Sequence, residues 1–203
     1  MTPKERVALL FGGRSAEHEV SCLSAATVHA ALEANGYDVV SIGIDKRGVW
    51  HRLSSPPVLQ GEATELPSVA SDTGVEVMLS SEPGSGDLVD ERGERDHVDA
   101  IFPVLHGPYG EDGTIQGLLE LAGIPYVGAG VLASAVGMDK AMQKALFVFD
   151  GLPVLRHRVV FRPSWREDPD ALFAEVETFG YPVFVKPATL GSSVGISKVK
   201  APG

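Results

Sequence analysis

The sequence predicts an α/β fold in which a parallel-sheet domain is followed by the beginning of a second, α+β domain. Three observations carry this. Residues 7–11 form an uninterrupted apolar run, broken by Gly12-Gly13 and followed by a helix-length segment and a second apolar run. That is a βαβ opening, and buried parallel strands read as continuous hydrophobic stretches. Residues 98–105 repeat the pattern, leading into a glycine-rich loop and another helical stretch. Past a helical stretch broken near Gly137 the rhythm changes to strand, helix, strand and glycine loop, so a boundary is placed near 137–144, with domains over 1–137 and 138–203.

Each element has its own signal. Ser15 is placed to cap a first helix that ends at Asn35-Gly36. A second strand follows over 37–44, then a turn at Asp45-Lys46-Arg47-Gly48 leading into 49–51. The stretch 54–97 is rich in Ser, Pro, Gly and acids, with one short strand at 75–79. Its charged part, 87–96, reads as a solvated loop. A helix over 114–122 stops at Gly123, a short strand occupies 124–127, and 131–149 is helical in two pieces broken near Gly137. Strand 154–161, helix 168–179 and strand 181–186 complete the chain up to the last glycine loop.

Composition excludes several classes of function. The chain has 203 residues, with 17 Lys and Arg against 27 Asp and Glu, for a net charge of −10. Nonspecific nucleic-acid binding needs the opposite sign, and anionic membranes would repel such a surface. No apolar run approaches the roughly 20 residues that cross a bilayer, and the N-terminus lacks a signal-peptide cleavage site. The single cysteine, Cys22, has no internal partner for a disulfide, which fits a reducing cytoplasm, and it reads as a small buried helix residue.

Four segments carry chemistry. Gly12-Gly13-Arg14-Ser15-Ala16-Glu17-His18-Glu19-Val20-Ser21 lies at the carboxyl edge of the first strand, where open α/β sheets bind ligands. Glu17 either complements the helix dipole or offers a fixed carboxylate to an ammonium group. The loop from His106 to Gly117, HGPYGEDGTIQG, is dense in glycine and acids, and such loops usually hold something. His106 is there either a binding residue or a structural histidine bonded to backbone, and no second His or Cys at ligand spacing suggests zinc. Gly128-Ala129-Gly130-Val131-Leu132-Ala133 mimics a dinucleotide fingerprint, with Asp150 standing 20 residues beyond Gly130. The acid should end a strand, whereas 138–149 reads as helical, so that reading is rejected. Gly191-Ser192-Ser193-Val194-Gly195 mimics a hydrolase elbow, yet all six histidines precede it. It is no Walker A loop either, because Gly-Lys-Ser/Thr is missing. Lys186 ends a strand five residues before that loop. Backbone N–H groups, two hydroxyls and a lysine are what a phosphate chain requires.

Together these segments resemble the D-alanine–D-alanine ligase family of the ATP-grasp superfamily. The anchors are G-G-x-S-x-E-H-E-V-S at 12–21, H-G-P-Y-G-E-D-G-T-I-Q-G at 106–117, M-D-K at 138–140, and V-K-P with G-S-S-V-G-I at 185–196. The resemblance implies a Rossmann-like pre-ATP-grasp domain that binds D-alanine, followed by part of an ATP-grasp domain. Glu17 matches the carboxylate receiving the first D-alanine's ammonium, and His106 the histidine near the amino-acid site. Ser192 matches the loop serine that helps fix that contact and closes over the reacting phosphate, with Ser193 beside it. Lys140 and Lys186 match lysines that reach the ATP phosphates, and Glu111 reads as supporting rather than catalytic. The implied reaction joins two D-alanines through an acyl phosphate, with magnesium or manganese on the phosphates, for peptidoglycan precursor synthesis in the cytoplasm. A homodimer is implied as well. The family's metal ligands, its oxyanion-stabilising arginine and its second-substrate loop fall beyond Gly203. The expectation is therefore an incomplete chain, inactive alone, with D-lactate or D-serine as alternative acceptors and a non-catalytic D-amino-acid-binding remnant as the non-enzymatic alternative.

Overall fold

The fold was analysed in a computed structural model, which describes residues 4–57 and 65–202. The chain divides into two compact units, Met1–Ala135 and Val136–Gly203.

The first unit is built on strand β1 (Arg6–Gly12). β1 pairs in parallel with β2 (Asp38–Ile44) on one side and with β7 (Ala100–Pro103) on the other. Its alternating side chains feed two separate cores, as the two-residue period of a strand dictates. Ala8 and Leu10 join a cluster with Val40, Ile42, Ile101 and Leu119. Leu9 and Phe11 face the other way, onto Cys22, Ala25 and Val69. Leu9, Leu10 and Phe11 are wholly buried. Burying each such side chain is worth about 1.5–3 kcal/mol, so this strand anchors the unit.

Helix α1 (His18–Ala34) returns the chain from β1 to β2. Its buried residues, His18, Ser21, Cys22 and Ala25, fall at the i, i+3, i+4, i+7 spacing of a single helical stripe. Burial among apolar neighbours pushes the Cys22 thiol up to about 12, and the nearby Glu19 carboxylate adds to this.

Beyond β2 the sheet turns antiparallel through β3 (Trp50–Leu53), β4 (Val75–Leu79), β5 (Asp87–Asp90) and β6 (Arg95–His97). The strand order is β6-β5-β4-β3-β2-β1-β7. The α/β class therefore holds, with a parallel centre at β2-β1-β7 and an antiparallel flank. The expected solvated loop at 87–96 is instead a hairpin, closed by Asp90, whose Oδ1 accepts from the N–H groups of Arg92 and Glu94. Charge hid this strand pair. Arg95 bonds Asp87 and Glu82, and Arg52 bonds Asp96, so the acids are cross-strand partners rather than free solvated groups.

Helix α2 (Thr114–Ala122) covers the first core cluster and ends at Gly123 in the left-handed region. The expected strand at 124–127 reduces to one parallel bridge, Ile101 with Tyr126. Helix α3 (Val131–Met138) follows.

The second unit holds α4 (Lys140–Phe149), α5 (Arg162–Glu167), α6 (Pro169–Glu177) and the two-stranded antiparallel pair β8 (Val183–Val185) and β9 (Ser197–Val199). The expected strand at 154–161 does not form; those residues have no regular structure, and its apolar side chains such as Leu155 and Phe161 are exposed. The helical pieces in 131–149 part at Asp139, whose carboxylate caps α4 by accepting from the N–H groups of Ala141 and Met142. Internal contacts include Trp165 edge-on to Phe173 and Arg156 stacked over Phe179 while bonding Thr178.

The turn after β2 supplies a pH test. Asp45 is almost fully buried; its Oδ1 accepts from the Arg47 and Val49 N–H groups and its Oδ2 from the Arg47 guanidinium, with His51 Nε2 3.6 Å away. Burial pushes the carboxyl up, but these donors outweigh it and hold the pKa at about 2, against an ordinary 3.8. A depressed carboxylate stabilises the fold above its unfolded pKa and loses that contribution as pH falls through the folded value. The interaction is thus expected to contribute about 2 kcal/mol above pH ~4 and to have lost roughly half of it by pH ~3. Urea unfolding of the wild type and Asp45→Asn at a series of pH values checks this, because the variant should lack that slope.

Candidate functional site

Parallel strands β1 and β7 part at their carboxyl ends, and the crevice this opens is where α/β sheets place ligands. Two loops line it, Gly12–Glu17 after β1 and 104–113 after β7. Where strands part, backbone groups lose their ladder partners and must be satisfied otherwise. Ser21 does this with one buried hydroxyl, which accepts from the Gly12 N–H at 2.8 Å and donates to the Val104 carbonyl at 2.6 Å. Gly13 N–H bonds the Ile44 carbonyl. His18, wholly buried, secures the turn from behind. Its Nε2 accepts from the Val69 N–H, so its Nδ1 carries the proton and donates it to the Gly13 carbonyl at 2.7 Å.

Glu17 stands at the N-cap of α1 and is 9% exposed. Ser15, expected as the helix cap, does different work. Its hydroxyl accepts from the Glu17 N–H and donates to the His106 carbonyl at 2.6 Å, stitching the two loops together. Gly107 then lies directly against the Glu17 carboxylate, since a Cβ built there would sit 2.5 Å from Glu17 Oε2. With φ of 72° as well, this position has both a conformational and a steric reason to be glycine. The His106 ring is half-buried, with Nε2 3.2 Å from the Ser24 hydroxyl. The His106–Gly107 backbone is thus brought to Glu17, while the His106 ring reaches the Ser24 hydroxyl further along α1.

The rest of the second loop is held by its own acids. Glu111 accepts from the Gly107 N–H at 2.7 Å, and Asp112 accepts from the N–H groups of Tyr109 and Thr114. Burial pushes the Asp112 carboxyl up, and those donors more than offset it, leaving it below the ordinary carboxylate range. Tyr109 adopts φ of 68°, a left-handed conformation that costs a non-glycine residue about 1–2 kcal/mol. The Arg14 guanidinium lies over its ring, 4.8 Å from the centroid. Both loops also border a cavity of about 170 Å³ walled by Ile44, Trp50, Leu105, Ile115 and Leu118.

The remaining sequence-nominated residues lie in the second unit. Lys140 opens α4, and its N–H donates to the Ala188 carbonyl at 2.9 Å. Its ammonium donates to the Leu190 carbonyl, immediately before the glycine loop. An ammonium has three donors, so this bond engages only one of them. Ser192 and Ser193 hold φ of 46° and 61°, and the turn is closed by Val194 N–H on the Gly191 carbonyl. Gly195 passes close to Pro187, 2.8 Å from where a Cβ would stand. Lys186 is exposed, as are Phe184 and Val185 of the strand before it, so the apolar flank did not signal burial. Lys140, Ser192 and Ser193 are gathered around one loop, with Lys186 at its foot.

Residues 6–129 match the family described as D-ala D-ala ligase N-terminus, and residues 146–202 match D-ala D-ala ligase C-terminus. The chain belongs to the D-alanine–D-alanine ligase family. Within that family, it is 50% identical over 202 residues to the D-alanine–D-alanine ligase of Mycobacterium bovis, covering 97% of this chain and 53% of the relative. The ligase of Kineococcus radiotolerans is 48% identical over 208 residues, covering 97% and 54%. Among solved structures, the D-alanine-D-alanine ligase from Coxiella burnetii superposes with a TM-score of 0.80 at 32% identity, over 98% of this chain and 57% of that one. The VanG D-Ala:D-Ser ligase from Enterococcus faecalis gives 0.77 at 34% identity, with the same coverage. The chain spans about half the length of the curated relatives it matches.

Ser21, His18, Asp139 and the Arg14–Tyr109 contact were not nominated from sequence. Ser21 and Asp139 lie inside quoted motifs, where a short polar residue at a strand or helix end signals a backbone partner. Removing the Ser21 hydroxyl orphans a buried N–H and a buried C=O, so Ser21→Ala is expected to cost about 1–3 kcal/mol. Chemical denaturation checks the loss, and Thr73→Ala, on the exposed bond to the Ala70 carbonyl, serves as the smaller-effect control.

Proposed function

We propose that this chain provides the D-alanine site and part of the ATP site of a D-alanine–D-alanine ligase. The observation that carries this reading is the Glu17 carboxylate, nearly buried at the parting of β1 and β7 and closed upon by Gly107 of the opposite loop. A fixed carboxylate there suits the ammonium of an amino acid, and the facing loop carries His106. Hydrogen bonds to charged groups are worth about 1.5–3 kcal/mol, enough for one contact to govern recognition of a small substrate. The domains would divide as 1–137 for D-alanine and 138–203 for ATP.

In this reading the first D-alanine's carboxylate oxygen attacks the γ-phosphorus of ATP. The bond from that phosphorus to the bridging oxygen breaks, ADP leaves, and an acyl phosphate forms. The amine of the second D-alanine attacks the acyl carbon, phosphate departs, and the amine loses a proton to give the dipeptide. Such chemistry depends on positioning and charge neutralisation. Lys140, Lys186, Ser192 and Ser193 would engage the phosphates, locally offsetting the −10 net charge. Among the described residues no group of three or more His, Cys, Asp or Glu side chains could hold a metal ion. These residues therefore do not fit the magnesium site the family implies, and no step is assigned to it. No helix among the described residues is long and apolar enough to cross a membrane; the family likeness supports the further reading of a cytoplasmic homodimer serving peptidoglycan synthesis. Likeness to a D-Ala:D-Ser ligase supports one second reading, in which D-serine is the acceptor.

The test uses the natural protein that carries this sequence, purified from its source and supplied with ATP, magnesium and D-alanine. D-alanine-dependent phosphate release is expected, with D-serine and D-lactate compared as acceptors. Glu17→Gln should lower kcat/KM for the first D-alanine by about 10- to 100-fold and leave the KM for ATP unchanged. Absence of release with every acceptor, or an unaltered Glu17→Gln, would overturn the assignment.

A further inference from the structure

We infer that Arg14 and Tyr109 form a positioning pair that sets how closely the 106–110 loop approaches Glu17. Arg14 stands three residues before Glu17, and Tyr109 two residues after Gly107, so the contact brackets the approach of Gly107 to the carboxylate. Ser15 to His106 ties the loops at one point, and the guanidinium over the tyrosine ring ties them at a second.

Three observations converge on it. Tyr109 occupies a left-handed backbone conformation that glycine would accept without cost, and a strained residue persists where its side chain has a task. Tyr109 is 48% exposed, so core packing does not explain it. The Arg14 stem, finally, runs over Gly48 in the turn after β2; a Cβ at Gly48 would come within 2.9 Å of Arg14 Cδ, so the absent side chain leaves the stem its path. An exposed cation–π contact adds little to overall stability. Its effect should therefore be felt in where the loop sits, with little change in whether the unit folds. The consequence for substrate rests on Glu17 receiving the D-alanine ammonium.

The experiment compares Arg14→Met, Tyr109→Gly and Tyr109→Phe in the natural protein that carries this sequence. Arg14→Met keeps the stem and removes the charge, Tyr109→Gly satisfies the backbone angle and removes the ring, and Tyr109→Phe keeps the ring. Amide hydrogen exchange of residues 107–111 and the KM for the first D-alanine are each expected to rise about two- to fivefold in the first two variants, the range one exposed cation–π contact carries. Tyr109→Phe should behave as wild type, and the KM for ATP and the melting temperature should not move. Unaltered exchange in Arg14→Met and Tyr109→Gly overturns the pair. So does raised exchange with an unchanged D-alanine KM, or a fall in melting temperature with exchange rising across the whole first unit. Should the wild type show no D-alanine-dependent turnover, the ligase reading fails, and the exchange of residues 107–111 still decides whether the pair holds the loop.

Discussion

A single buried hydroxyl governs the architecture around the crevice. β1 and β7 must separate for a crevice to exist, and separation strands a donor on one strand and an acceptor on the other. Ser21 reaches from α1 and satisfies both, so the split becomes a defined feature rather than a fraying end. Because Ser21 sits on the same helical stripe as His18, Cys22 and Ala25, packing of α1 on the sheet fixes the hydroxyl, and the hydroxyl fixes the loops. Glu17, at the head of that helix, inherits its position from this arrangement.

The two units meet their polar requirements differently. In the first, the loops are placed by side chains that bond backbone: Ser15 to His106, His18 to Gly13, Glu111 to Gly107, Gln116 to Gly110. In the second, the glycine loop is surface-lying and takes its form from consecutive left-handed residues, with Lys140 holding the segment just before it. Apolar side chains there are mostly exposed; among the described residues of that unit the buried hydrophobic one is Leu172. An acidic chain can thus present cationic and N–H groups locally, and the overall charge says little about an individual loop.

Most of the parallel centre was legible from apolar runs and glycine breaks, because buried strands carry that signature in their own residues. Helix α2 was read to the residue, since Gly123 supplies an unambiguous stop. The 87–97 hairpin escaped because a run of charges reads as solvated, and only the strand pairing brings Arg95 to Asp87 and Arg52 to Asp96. Residues 154–161 misled in the opposite sense: their apolar content suggested a strand, yet those side chains are largely exposed and no strand among the described residues pairs with them. At the candidate site, residue types and order pointed to the loops. The partners of Ser15, Ser21 and Arg14 were invisible, because contacts spanning 83 to 95 residues of sequence are set by topology alone.

One feature of the fold turns the lone thiol into a clock. Cys22 is sealed between Leu9, Phe11, Ala25 and Val69, and its thiol is held up to about 12, so at neutral pH the nucleophilic thiolate is scarce and the sulfur is out of reach. An alkylating reagent can consume it only while α1 lifts from the sheet. With one thiol in this sequence, the labelling rate has a single origin and reports the opening frequency of the layer that carries Ser21 and Glu17.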